Sequence, residues 1–460
     1  MIRSKRVAAA VLAVSGVMLL AACGGGSTSS EDTTAAEAPA EEAPAEEAPA
    51  EEAPADGAAE ACGPADAAGV GEVFSWWTSG SESAALDALF AQTNTSFPGV
   101  ELQNAAVAGG AGTNAKQVLA TRLAGGDVPE TWQTHPGGEL GDYHAQGVLA
   151  DLTSLYECQG WNEVVPQELI DSMTYDGQIT AALAGVHRAN VLWYNKPLVE
   201  GAGVTVPENV TWADFEQIAT TLNDQGITPL CLGDKDIWTA AQLLEAMIVG
   251  EVGAEGWQGL MDGTVKWSDP AVQTAVNNFN EVMTWTNPDH KSLDWTGAVT
   301  ALVEGKCAFN VMGDWAYGEL VTKHGLVDGT DFGYTFFGDP NTFVTVGDAF
   351  VVGSGSDNPA AGEAFVIAMM SPEAQLAFNK LKGSSPVRSD VDVTQLGVYQ
   401  QGASDTLANG QKVASLVHGQ ALVPAANGQA YADAVTLLQA DSDAAAFGTA
   451  MDNAFAANAG

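Results

Sequence analysis

Three observations predict an α/β protein. Strand-like and helix-like segments alternate along the chain. The roughly 390 residues that follow an acidic, low-complexity start suit two domains better than one. No nucleotide loop, nucleophile elbow or zinc helix breaks the alternation. In chain order, Val73-Phe74-Ser75-Trp76-Trp77 reads as a strand. Residues 81–95 form an amphipathic helix with Ala85, Leu86, Leu89 and Phe90 on one face. Residues 100–107 read as the next strand, and 114–124 as a helix with Val118, Leu119, Arg122 and Leu123 at helical spacing. Gly109-Gly110-Ala111-Gly112 lacks the Lys-Ser/Thr of a phosphate loop and reads as a turn. Thr211-Trp212-Ala213-Asp214 has the spacing of a capping box, opening a helix to residue 222. Asp269-Pro270 starts a long helix ending near Trp285. Residues 297–304 form a helix stopped by Gly305, before a strand at Cys307–Met312.

Ahead of this body lies a different kind of sequence. Arg3, Lys5 and Arg6 precede an uncharged run from Val7 to Leu20, too short to span a bilayer and suited to a signal peptide. The ending Leu20-Ala21-Ala22-Cys23 resembles the bacterial lipobox, which implies cleavage after residue 22 and lipidation of Cys23. The plain alternative is an ordinary secretory signal followed by a chance cysteine. Residues 23–69 then read as a solvated tether of Glu, Ala and Pro, with Glu-Glu-Ala-Pro-Ala repeated in register from Glu41 to Ala55. Extended at ~3.1 Å per residue it reaches on the order of 140 Å. Removing the 11 acids of residues 31–60 and the three bases of the signal leaves 47 acids against 13 bases. So acidic a body should bind neither nucleic acid nor anionic lipid.

Besides Cys23 the chain has Cys62, Cys158, Cys231 and Cys307. An even number in an exported protein suggests two disulfides, for which three pairings exist. Cys231 with Cys307 is favoured because both sit in short strand-like runs, leaving Cys62 with Cys158. The spacing matches no zinc pattern, and no metal or cofactor is expected.

A set of segments in this order resembles the extracellular solute-binding proteins of ABC sugar importers, in particular the glucose/galactose/mannose-binding branch. They are Phe74-Ser75-Trp76-Trp77 with Glu82, Gly109-Gly110-Ala111-Gly112-Thr113-Asn114-Ala115, Gln133-Thr134-His135, His187-Arg188-Ala189-Asn190-Val191-Leu192-Trp193-Tyr194-Asn195, Phe309-Asn310-Val311-Met312-Gly313-Asp314-Trp315, Leu381-Lys382-Gly383-Ser384 and Ser415-Leu416-Val417-His418-Gly419. Together they span nearly all of residues 72–450. The resemblance implies a two-lobed periplasmic-binding-protein-like fold with discontinuous lobes joined by a hinge. On that basis lobe one is 70–185 with 313–353, and lobe two is 186–312 with 354–460. The hinge is expected near residues 184–187, 310–313 and 353–356.

A pyranose has apolar C–H faces that favour aromatic planes, and hydroxyls that need directional partners. The resemblance implies that Trp76, Trp77, Trp295 and Trp315 supply planes, and that Glu82, Gln133, His135, Asp348, Lys382 and His418 supply polar contacts. All but Trp315 and Gln133 have a plain alternative. Neighbours on a strand point opposite ways, so one of Trp76 and Trp77 is core. Glu82 sits where a helix dipole favours a carboxylate. Trp295 can pack at a helix entry, and Asp348, Lys382, His135 and His418 can be loop or surface residues. Arg188 either lines the cleft or pairs with an acidic surface across the hinge. Trp238 is a doubtful contact, because Thr239-Ala240-Ala241-Gln242 departs from the more polar and aromatic family pattern. His144, His290 and His324 read as surface residues. The tautomer of His418 is open.

The function these readings imply is a lipid-anchored monomer on the extracellular face of the cytoplasmic membrane. It binds a hexose between its lobes and delivers it to the permease of an ABC importer, without chemistry on the sugar. Two alternatives stand beside it. One is a secreted glycoside hydrolase using Glu82 and Asp348, which needs their carboxyl groups about 5–5.5 or 6.5–9.5 Å apart. The other is a sugar-sensing lipoprotein with no transport role.

Overall fold

The computed structural model describes residues 62–109 and 112–458. The signal segment, Cys23 and the Glu-Ala-Pro tract lie outside the described residues. In chain order the described strands are β1 (Gly69–Phe74), β2 (Val100–Asn104), β3 (Thr131–Thr134), β4 (Thr174–Tyr175), β5 (Gln178–Ile179), β6 (Ala182–Arg188), β7 (Val191–Asn195), β8 (Thr228–Leu230), β9 (Cys307–Met312), β10 (Phe332–Thr335), β11 (Thr342–Val352) and β12 (Gln411–Ala414). One sheet runs β12-β11-β3-β1-β2, with β6 also paired to β11. A second runs β10-β7-β9-β8, and β4 with β5 makes a hairpin. Each sheet is the centre of one lobe of a two-lobed α/β fold.

The sequence accounts for these positions. Every residue of β11 is buried, and Asp348 is its only charge, as expected of a central strand covered on both faces. β1 is parallel to both β2 and β3, so the chain returns between them through the helices Gly80–Ser96 and Thr113–Ala124. The second sheet is covered by Trp212–Asp224 and by the helical segment Trp238–Asp262, which is broken at Gly253. Thr211 and Asp214 form the expected capping box, and Asp269 caps Pro270–Val282 through the amide of Ala271.

The lobe boundaries differ from expectation after β11. That strand is antiparallel to β3, with Ala349 opposite Thr134 and Val352 opposite Thr131. Residue 352 therefore leaves the sheet at the end remote from His135, where no crossing is possible. The helices Pro359–Met369 and Pro372–Lys382 then pack on the first lobe, Phe365 against Phe350 and Phe378 against Trp77. Residues 354–382 thus belong with lobe one, and there is no hinge near 353–356. Conversely β10, expected in lobe one, pairs with β7 in the second sheet. The chain crosses between the two sheets at 188–191 and again between β10 and β11.

Disulfides join Cys62 to Cys158 and Cys231 to Cys307, with Cα separations of 5.5 and 5.4 Å, in the favoured pairing. Residues 62–69, read as the end of the tether, are part of the body: the Ala67 amide donates to Pro64, and Ala67 is buried. Among the described residues no helix is long and apolar enough to cross a membrane.

Candidate ligand-binding cleft

β1 and β3 end side by side, Phe74 opposite Trp132, so Trp76 and His135 emerge together at the carboxyl edge of the first sheet. That edge is where open α/β sheets take ligands. β11 brings Val346 and Asp348 to the same edge, and β6 places His187 opposite Val346. The register of β11 with β6 shifts between Asp348 and Ala349, a bulge that re-aims the carboxylate. The second lobe contributes Lys235, Asp236 and Trp238 from the segment after β8, and Asp294, Trp295 and Thr296 from the start of the helix Trp295–Val303. The cavity between has a volume of about 390 Å³.

A row of buried charges forms the first-lobe wall. Lys382, the last residue before the left-handed Gly383, donates to Glu82 Oε1 at 2.8 Å and lies 3.7 Å from Asp348 Oδ2. His187 spans two carboxylates, Nδ1 on Asp314 and Nε2 3.0 Å from Asp348 Oδ2. Both of these contacts favour a proton on the ring nitrogen facing the carboxylate, and so favour the imidazolium. Gln133 Nε2 donates to the other oxygen of Asp348 at 3.2 Å. Burial would push Asp348 up, but Lys382 and His187 hold it well below the ordinary carboxylate range. Burial and Lys382 work against the charge on His187; Asp314 and Asp348 outweigh them and raise its pKa. For Lys382, Glu82 and Asp348 likewise outweigh burial. Glu82 goes up, because burial exceeds the opposing pull of Lys382.

Aromatic rings line the rest in an unbroken arc. Trp76 lies 5.3 Å from His135, His135 5.8 Å from His418, His418 5.4 Å from Trp315 and 5.6 Å from Trp238, and Trp315 5.3 Å from His187. Two glycines make this arc possible. A Cβ on Gly313 would fall 2.2 Å from the Trp315 ring, and Gly112, at φ +101°, lies against the Trp76 indole. His135 Nδ1 is held 3.0 Å from Glu139, which also takes Lys116 at 2.6 Å. These partners keep Glu139 ionised despite its burial.

A family model described as bacterial extracellular solute-binding protein matches residues 77–376. The chain belongs to that family. A probable sugar-binding periplasmic protein of Mesorhizobium japonicum is 34% identical over 384 residues, covering 81% of this chain and 90% of the relative. Among solved structures, a chitin oligosaccharide binding protein superposes with a TM-score of 0.74 at 20% identity, over 85% of this chain and all of that one. The bacterial solute receptor AcbH, described as having an exclusive preference for β-D-galactopyranose, gives 0.73 at 18% identity, over 84% of this chain and 98% of that one.

In this solute-binding protein nine of the ten expected site residues line one cavity: Trp76, Trp77, Glu82, His135, Trp295, Trp315, Asp348, Lys382 and His418. Gln133 does not; it sits behind the wall, accepting from the Trp76 amide at 3.3 Å while donating to Asp348. Trp77 is wholly buried against Phe350 and Phe378 and is the core member of its pair, whereas Trp76 is half-buried. Arg188 does neither thing expected of it. Its guanidinium is buried on Asn190 and the carbonyls of Pro340 and Thr342, 3.5 Å from the Phe336 ring, stapling two crossing segments. Trp238, doubted from its neighbours, lines the cavity. His187, Asn114, Lys235, Asp236 and Asp294 also line it and were not singled out. The one available signal was Asp294 directly before Trp295, an N-cap that turns the indole inward.

Proposed function

We propose that the protein captures a hexose of the glucose type between its lobes and presents it to the permease of an ABC importer, leaving the sugar unchanged. In this reading the indoles of Trp76, Trp295 and Trp315 meet the C–H faces of the ring. Glu82, Asp348 and Lys382 make charge-assisted hydrogen bonds to its hydroxyls, with His135 and His418 adding further contacts. The observation that carries it is the juxtaposition in one cleft of indole faces with carboxylate and ammonium groups already fixed by one another. Such groups meet hydroxyls without reorganising on binding. The sugar-binding description of the Mesorhizobium relative and the galactose receptor among the similar folds support the same ligand class.

Membrane attachment is the second part of the proposal. Cys23, lipidated after cleavage of residues 1–22, holds a monomer at the outer face of the cytoplasmic membrane through the Glu-Ala-Pro tract. Tethering raises the effective concentration beside the permease, so a weak docking contact suffices.

Calorimetric titration with D-glucose, D-galactose and D-mannose, with the sugar analysed afterwards, tests the ligand. Saturable binding of at least one hexose, recovered intact, is expected. Absence of binding to all three, or cleavage of an offered glycoside, contradicts it. For the anchor, Cys23→Ala should release the protein from membranes into the medium.

A further inference from the structure

The helix beginning at Trp238 carries three side chains that grip one short segment, residues 415–418. Trp238, Gln242 and Glu245 stand at i, i+4 and i+7, on one face. Trp238 packs its ring on His418, 5.6 Å between centroids. Gln242 Oε1 lies 2.9 Å from His418 Nε2. The Glu245 carboxylate accepts from Ser415 Oγ at 2.8 Å, the Leu416 amide at 2.7 Å and the Val417 amide at 3.3 Å. On its other side the segment is tied to the first lobe, the Ser415 amide donating to Thr345 and the Glu139 amide to Gly419. His418 is therefore held from both lobes.

The orientation of the Gln242 amide decides the protonation of His418. Gln242 Nε2 donates to the carbonyl of Ala189 at 2.9 Å. Flipping the amide would set its oxygen against that carbonyl, two acceptors face to face in a buried site. With the NH₂ so committed, Oε1 accepts, and the proton it accepts is on His418 Nε2. Burial, with His135 and Lys116 near, holds the His418 pKa well below its ordinary value, so the ring is neutral and Nδ1 carries no proton. Among the described residues Nδ1 has no hydrogen-bond partner, yet it is not one of the sealed, unpaired polar atoms of the interior. It opens on the cavity that His418 lines.

We propose that Gln242 is a positioning residue that fixes His418 as the Nε2–H tautomer, so that Nδ1 is an acceptor in the cleft and the site selects ligands offering a hydroxyl as donor at that point. The ligand half of this inference rests on the hexose reading; the tautomer half does not. A hydroxyl that donates to Nδ1 can be replaced neither by fluorine, which only accepts, nor by a methyl ether.

Two measurements on the full-length protein test it. Long-range ¹H–¹⁵N correlation of the histidine rings, without ligand, should show His418 as the Nε2–H tautomer; the Nδ1–H tautomer or an imidazolium at neutral pH overturns the assignment. Titration with D-glucose and its monodeoxyfluoro analogues should show losses where hydroxyls donate to Glu82 and Asp348 and, at the further position that faces His418, a loss of about five- to tenfold, the size of one neutral hydrogen bond. In Gln242→Glu the added charge favours an imidazolium, which turns Nδ1 into a donor, and this discrimination should collapse at that one position. Equal discrimination in wild type and Gln242→Glu, with His418 spectra that differ, overturns the selectivity claim. Should Gln242→Glu fail to fold, Gln242→Met serves: mixed tautomers support the assignment, and an unchanged Nε2–H ring contradicts it. If no hexose binds the wild type, the hexose reading fails while the ring spectrum still decides the role of Gln242.

Discussion

The two walls of the cleft are built on different physical plans. The first-lobe wall is a chain of largely buried charges, each neutralised by the next: Glu82 in the first turn of one helix, Lys382 in the last turn of another, and Asp348 and His187 on the paired strands β11 and β6. The second-lobe wall offers Lys235 and Asp294, both exposed, with Asp236, Trp238 and Trp295 half-buried at segment starts. A buried, mutually satisfied network can define geometry before a ligand arrives, because nothing in it is free to move. An exposed loop-borne set screens and adapts. In the proposed reading, the first lobe recognises hydroxyls and the second covers the ligand.

Breaking the buried chain should have the largest effect. Lys382→Met leaves Glu82 and Asp348 facing each other without a cation. Removing one partner of a buried pair costs on the order of 3–5 kcal/mol. Urea unfolding should register that loss and hexose binding should disappear; retention of both would erase the contrast between the walls.

Next is a buried carboxyl of the second lobe. Glu245 is pushed up to about 7 by burial, against the pull of Ser415 and the Leu416 and Val417 amides. A carboxyl whose folded pKa exceeds its unfolded one binds more protons when folded. Its contribution is full below pH 4.5 and disappears as pH rises through 7. Comparing unfolding of wild type and Glu245→Gln at pH 5 and pH 8 should show the difference moving by about 2–3 kcal/mol in favour of the variant at the higher pH. No change between the two pH values would show that the carboxyl titrates elsewhere.

Smaller effects sharpen the comparison. Trp315→Ala, which opens the aromatic arc between His187 and His418, should lower hexose affinity by about 2 kcal/mol, the scale of a buried aromatic anchor. Lys235→Ala, at an exposed site, should change it by less than about 1 kcal/mol, and by less still at high salt. Calorimetry orders the two; a reversed order would place recognition in the second lobe.

Much of this was legible because it was local. Alternating patterns give the strands, Thr211–Asp214 and Asp269-Pro270 give helix starts, and the ordered segments from Trp76 to His418 hold ten of the 21 residues that line the cavity. What was hidden depends on distance along the chain. Lys382 meets Glu82 across 300 positions and Gln242 meets His418 across 176, and no local pattern records such a meeting. Glu245 and Gln242 lie in an otherwise apolar run, residues 240–249, and look like exceptions until segment 415–418 is laid against them. The misplaced hinge has a similar cause: only the antiparallel register of β11 with β3 shows that Val352 ends far from the cleft.

A crystal structure of the protein with D-glucose tests most directly where the sugar sits. The ring should lie between Trp76, Trp295 and Trp315, with its hydroxyls on Glu82, Asp348 and Lys382 and one of them donating to His418 Nδ1. A sugar bound outside this cleft, or one within it held mainly by Lys235, Asp236 and Asp294, would contradict this placement.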